Sequence, residues 1–131
     1  ELFAGAKSKI ADYYVPAKTD YRHMLKENVI GCSTVMLRRS LCRQFHFRQD
    51  VYHEDYALWL EILRNGYTAA GCTDILTKWR VSEKSRSFDK RSAAKNRWLI
   101  YRKVENLPLL SSVCAFAAYA VREAAKHRRV R

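Results

Sequence analysis

The sequence predicts an incomplete α/β fold: a few strands, one deeply apolar helix among them, and two helices at the C-terminal end. Three observations lead there. Residues 54 to 65 carry apolar side chains at helical spacing, between two stretches of strand-like composition. From Phe88 onward helical periodicity takes over, broken once at Pro108. Strands are too few for a doubly wound sheet, no Gly-rich phosphate loop is present, and the first residue is Glu1, so half of a larger fold is expected.

Each element has its own signal. Residues 1 to 19, "ELFAGAKSKIADYYVPAKT", lack sustained periodicity, and Pro16 marks an extended or turning segment. Thr19 or Asp20 can cap a short helix running through Asn28. Val29 and Ile30, then Thr34 to Leu37, predict a strand interrupted at Gly31. Ser40 starts a short helical piece, followed by the irregular aromatic stretch "FHFRQDVY". In the next helix Tyr56, Trp59, Leu60 and Leu63 stand at i, i+3, i+4 and i+7. Leu58 and Ile62 widen that stripe, which predicts deep burial, and Asn65-Gly66 ends the helix. "YTAAGC" and "ILTKWRVS" read as two strands joined by a turn near Thr73-Asp74. The helix after Phe88 aligns Ala93, Ile100, Val104 and Leu107; the last, from about Ser111 to about His127, aligns Val113, Phe116, Ala117, Ala120, Val121 and Ala124.

Composition narrows the function classes. The chain of 131 residues is 48% hydrophobic, ordinary for a packed domain and too apolar for a disordered one. Lys and Arg number 25 against 13 acids, a net charge of +12, which predicts an anionic partner: nucleic acid, a phosphate-bearing substrate or an anionic membrane. Cys32, Cys42, Cys72 and Cys114 form no CxxC pair and sit in apolar contexts, so they are expected to be buried free thiols in a reducing cytosol. The four histidines show no ligand spacing, and no zinc site is expected. No stretch reaches the roughly 20 apolar residues of a membrane span.

Two stretches can carry chemistry. In "HEDYALWLEILRNG", Glu54 and Asp55 stand at the head of the apolar helix. The free N–H groups and dipole of a helix N-terminus favour an ionised carboxylate, as a general base requires. The same acids also stabilise a first turn with no chemistry at all. In "KWRVSEKSRS" Arg80 is followed by Ser82, Ser85 and Ser87, within ten basic residues and two acids between Lys78 and Lys103. Arg forks and serine hydroxyls suit phosphate or pyrophosphate, and a solvated basic face is the alternative.

The ordered runs "YRHMLKENVIGCSTVMLRRS", "HEDYALWLEILRNGYTAAGCTDILTKWRVSEKSRSFDK" and "NRWLIYRKVENLPLLSS" resemble the C-terminal half of family 2 glycosyltransferases, bacterial surface-polysaccharide branch, over roughly residues 16 to 125. The resemblance implies a GT-A (nucleotide-diphospho-sugar transferase) fold, with residues 1–87 as the acceptor-side half of the catalytic domain and 88–131 as a helical extension with a basic tail. It implies transfer of a sugar, hexosyl in type, with inversion, from a nucleotide-sugar to a saccharide or lipid-linked acceptor in lipopolysaccharide or capsule synthesis. Asp55 matches the position of that family's catalytic base and Glu54 its acidic neighbour. Arg80, Ser85 and Ser87 match a substrate-binding stretch, in a loop covering the donor diphosphate or the acceptor. Many relatives carry a His two residues after the Arg; here Ser82 stands there, so no metal ligand is implied at that position. A divalent metal (Mg or Mn) is implied for the intact enzyme, with its DXD-type ligands mainly outside this chain, which is expected to be inactive alone.

Two other readings compete. A basic module for nucleic acid or an anionic membrane, without catalysis, rests on charge; the motif order and the packed pattern of Trp59, Trp79 and Trp98 speak against nucleic acid. An exposed sheet edge could pair with another copy into a homo-oligomer. The apolar run "VCAFAAYAV" leading into "REAAKHRRVR" suits the inner face of the plasma membrane, so a cytoplasmic protein with peripheral membrane contact is expected.

Overall fold

The structure, a computed structural model, describes residues 2–4, 8–81 and 89–129, with side chains from 12 to 78 and from 89 to 125. In chain order the elements are β1 (Leu2–Ala4), β2 (Ser8–Ala11), β3 (Lys18–Thr19), α1 (Tyr21–Lys26), a 3-10 turn (Cys32–Thr34), α2 (Arg39–Gln44), α3 (Glu54–Arg64), β4 (Ala69–Ala70), β5 (Trp79–Val81), α4 (Lys90–Leu99) continuing as a π-helical segment (Ile100–Val104), and α5 (Leu109–Arg129). The content is mixed α/β with few, short strands and two C-terminal helical elements, as expected.

The pairing of the strands differs from expectation. The segments expected to pair across Thr73-Asp74 pair elsewhere: β4 runs antiparallel to β3, and β5 runs parallel to β1, with Arg80 opposite Phe3. β1 also pairs antiparallel with β2, so the larger sheet has the order β2-β1-β5. The N-terminal stretch without periodicity thus holds three strands, each too short to show alternation. The strand expected over 29–37 is absent. Thr34 folds back instead, its N–H and hydroxyl both donating to Gly31 O at 3.0 and 2.9 Å. The β-branched residues around Gly31 lose their ladder partner to this local turn.

α3 is the centre of the core. Tyr56 through Leu60, Ile62 and Leu63 are all buried, Leu60 completely. Around them lie Met24, Val29, Phe45, Ile100, Tyr101 and Ala115, so the helices after residue 88 share one core with α1 and α3. The termini follow their sequence signals. Asp20 Oδ1 accepts from His23 N at 2.8 Å to cap α1, and Asp89 Oδ1 accepts from Arg91 N and Ser92 N to cap α4. Gly66, at φ 90°, follows Asn65 at the end of α3. Gly71 allows a close approach: a Cβ there would meet Pro16 O at 2.1 Å.

One expectation about side chains fails. All four cysteines are free, but all are exposed. On α5 the inward face is formed by Ser112 and Ala115, with Phe116 edge-on to Trp98, while Val113, Ala117, Ala120, Val121 and Ala124 face solvent. The inward side is held by aromatic and polar contacts.

Glu105, fully buried at its side chain, receives the Tyr21 hydroxyl at 2.6 Å and Arg64 Nη1 at 3.3 Å, both on Oε2. Desolvation, then the bond to Glu105, push the Tyr21 phenol above its ordinary range; burial does the same to Tyr56. The folded state therefore keeps protons that the unfolded chain releases above about pH 10. Stability is full below that pH and falls as pH rises past it. Urea midpoints at pH 8 and pH 10.5 should separate, with a smaller separation in Tyr21→Phe; equal midpoints would remove this network from the alkaline balance.

Candidate active site

The loop before α3 sets the position of the acidic pair. Arg48 forks onto Asp50, Nε to Oδ1 at 3.0 Å and Nη2 to Oδ2 at 2.8 Å, which holds the Asp50 carboxyl below its ordinary range. The chain then reaches His53, which takes a left-handed conformation (φ 66°, ψ 51°) at the N-cap of α3 and makes no side-chain cap. A non-glycine residue there costs free energy, which is often found beside functional groups. Its ring packs edge-on to Tyr52, with centroids 4.9 Å apart. Its carbonyl accepts the first bond of the helix, from Ala57 N at 3.2 Å.

The sharp turn delivers Glu54 and Asp55 as the first two residues of α3, both partly buried. Asp55 Oδ1 accepts from Tyr56 N at 2.8 Å. Among the described residues, Oδ2 takes no hydrogen bond. One oxygen is thus anchored to the backbone in the positive field of the helix N-terminus, and the other is available for a proton. Capping and chemistry are compatible roles for the same side chain.

The 3-10 turn brings Cys32 within range of the charges of this pair. Desolvation, then the charges of Asp55 and Glu54, push the Cys32 thiol above its ordinary value. A thiol held more in its neutral form is the slower nucleophile. The proximity of Cys32 to the acids was not expected from the sequence; the small residues Gly31, Cys32 and Ser33 inside an apolar run were its only local signal.

Arg80 is placed by its backbone, in β5, and Ser85 and Ser87 lie outside the described residues. A cleft of about 200 Å³ opens between the 48–52 loop and α4, lined by Arg48, Tyr52, Asn96, Leu99 and Lys103 among others. That is less than the roughly 300 Å³ at which small-molecule sites begin. Among the described residues no cluster of three or more metal-ligating side chains occurs. The acidic pair by itself does not fit a divalent ion, since two carboxylates, one already bonded to backbone, fall short of the oxygen set such ions require.

Known proteins similar to this chain are named as glycosyltransferases. One is TuaG of Bacillus subtilis (strain 168), named for teichuronic acid biosynthesis: 35% identity over 107 residues, covering 82% of this chain and 42% of that protein. Two Escherichia coli proteins are each named as a UDP-Glc:alpha-D-GlcNAc-diphosphoundecaprenol beta-1,3-glucosyltransferase. WfgD is 40% identical over 92 residues, covering 70% of this chain and 36% of that protein. WfaP is 40% identical over 75 residues, covering 57% and 30% respectively. The chain spans at most 42% of the length of these relatives. No protein-family profile matches it, and no solved structure matches it.

Proposed function

We propose that the intact protein is an inverting glycosyltransferase of family 2 with a GT-A fold, and that this chain supplies its acceptor side through residue 87, followed by a helical extension. The observation that carries the reading is Asp55, one oxygen anchored on Tyr56 N and the other unbonded, directly after the strained His53. Similarity to proteins named as glycosyltransferases supports it.

In this reading Asp55 Oδ2 takes the proton of an acceptor hydroxyl as that oxygen attacks the anomeric carbon of the donor sugar. The new C–O bond forms as the bond to the diphosphate breaks on the opposite face. The nucleoside diphosphate leaves with the electron pair, and the anomeric configuration inverts. Glu54 adds negative charge beside the base and lines the acceptor. Arg80, Ser85 and Ser87 bind the diphosphate or the acceptor, for which a planar guanidinium and hydroxyl donors are suited. A divalent metal, where the intact enzyme uses one, is held mainly by residues outside this chain. The acceptor is a saccharide or a lipid-linked saccharide of surface polysaccharide synthesis, used at the cytoplasmic side of the membrane.

The test is transfer by the intact protein. Labelled nucleotide-sugars are offered with a diphosphoundecaprenol-linked saccharide, and the product's anomeric configuration is compared with the donor's. Inverted, lipid-borne product is expected. Retained configuration, or no transfer from a broad donor panel to either lipid-linked or free saccharides, would overturn the reading. The 131-residue chain alone should show neither transfer nor micromolar binding of nucleotide-sugars in calorimetry.

A further inference from the structure

The cleft between the 48–52 loop and α4 has no part in the transfer step above, and its lining is sorted by chemistry. The less exposed residues in it are mostly apolar, Leu99, Ile100 and Val104 among them. The exposed ones are polar: Arg48, Asp50, Tyr52 and Lys103. An apolar floor with a few polar groups around it is the general form of a ligand site. At about 200 Å³ the cleft is too small for a nucleotide-sugar and of a size for one ring. One wall includes the π segment, where Glu105 N donates to Ile100 O at 2.9 Å across the widened turn. Such turns are rare and recur at functional sites.

The two walls differ in charge. On the loop wall the Arg48 guanidinium forks onto Asp50 and also lies in the fields of Glu61 and Glu105, so no positive charge is left over. An ionised carboxylate has about four acceptor positions, so Asp50 can still accept from hydroxyls. Arg48 Nη1 makes no hydrogen bond among the described residues and can donate to one. Tyr52, 40% exposed, adds a flat apolar ring. On the helix wall Lys103 makes no hydrogen bond or ion pair among the described residues. Asn96 donates through Nδ2 to Ser92 Oγ at 3.1 Å and keeps its carbonyl oxygen for a hydroxyl.

We propose that this cleft is an acceptor subsite for one pyranose ring bearing an anionic group, a carboxylate or a phosphate. Ring hydroxyls bond the Arg48–Asp50 fork and Asn96, a C–H face lies on the apolar floor and Tyr52, and the anion meets Lys103. The choice of a saccharide rests on the glycosyltransferase reading. A simple anion would leave the fork unused, and a neutral sugar would leave Lys103 without a counter-charge. Tyr52 stands three positions before Asp55, so their Cα atoms lie within about 11 Å. One oligosaccharide can therefore fill the cleft and reach the base.

The intact protein, without donor, is titrated with glucuronate, galacturonate, glucose 1-phosphate, glucose and inorganic phosphate, followed by ligand-observed NMR. An acidic ring should bind, and the one that does names the anion; glucose and inorganic phosphate should each bind at least tenfold more weakly. Lys103→Gln should lower affinity for the acidic ring at least tenfold with an unchanged circular dichroism spectrum, and Lys103→Arg should keep most of it. Lys95→Gln, at an exposed position on the same helix outside the cleft, should change nothing. Glucose binding as well as the acidic rings, Lys103→Gln binding like the parent, or Lys95→Gln losing as much as Lys103→Gln would overturn the proposal. No transfer enters the measurement, so a protein that transfers sugar yet binds no acidic ring sinks the subsite and leaves the glycosyltransferase reading standing.

Discussion

Asp55→Asn in the intact protein should lower sugar transfer by about 100-fold or more, the typical worth of a general base, while leaving the fold and donor binding in place. The substitution is chosen by the geometry. Asn is nearly isosteric with Asp, and its carbonyl oxygen can still accept from Tyr56 N, now bonded to Asp55 Oδ1 at 2.8 Å. Asn also suits a helix N-terminus. The structural contribution of the side chain is therefore largely retained, and what disappears is the oxygen able to take a proton. Initial rates with saturating donor and acceptor, read beside a calorimetric titration with the donor and a thermal melt, separate the outcomes. A near-normal rate would remove Asp55 from the mechanism. A rate loss matched by a large drop in melting temperature would make the residue structural.

How much of this was readable in the sequence depends on the range of the interactions that decide each feature. α3 was readable almost to the residue, because its apolar stripe, its acids and its Asn65-Gly66 terminator are all local. The caps by Asp20 and Asp89 are local in the same sense. The left-handed His53 was not readable, since positive φ stays uncommon even for histidine, one of the non-glycine residues enriched there. Nor were the strands near the N-terminus: β1 exists by pairing with β5, more than 70 positions away, and a three-residue strand has no period to display. Cys32 meets the acidic pair only through the tertiary fold. Which face of α5 turns inward was not readable for a related reason. Its inward face is chosen by Tyr119 and Arg122, whose partners Arg97 and Glu27 lie on other helices. The role assigned to Asp55 came from neither period nor propensity but from the resemblance of ordered motifs, and the structure adds the arrangement of its two oxygens.

Arg97→Met should destabilise the protein by about 3 kcal/mol, roughly 10 °C in melting temperature for a domain of this size. Arg97 is 8% exposed although it stands in a basic run of the sequence. Its Nη1 donates to the Tyr56 hydroxyl at 2.9 Å and to the Tyr101 hydroxyl at 3.3 Å. The two hydroxyls donate onward to Met24 O, at 2.9 Å, and to Leu25 O, carbonyls of the last turn of α1. The guanidinium also lies between the rings of Tyr56 and Tyr119, 4.1 Å from each centroid. One side chain thus joins α1, α3, α4 and α5. Desolvation opposes its charge, and the tyrosine oxygens offset this, so that the guanidinium stays protonated. Methionine fills much of the volume but supplies neither donors nor charge, leaving two buried hydroxyls each short of a donor and two ring faces without their cation. Arg97→Lys should recover only part of the loss, because a single ammonium cannot lie flat between two rings while donating to both hydroxyls. A double-mutant cycle with Tyr101→Phe, read by urea unfolding, should show the two substitutions costing less together than their sum, since each removes the same bond. Strict additivity, or an Arg97→Met midpoint equal to the parent's, would show that the four helices are held by apolar packing alone and that the buried guanidinium contributes nothing net.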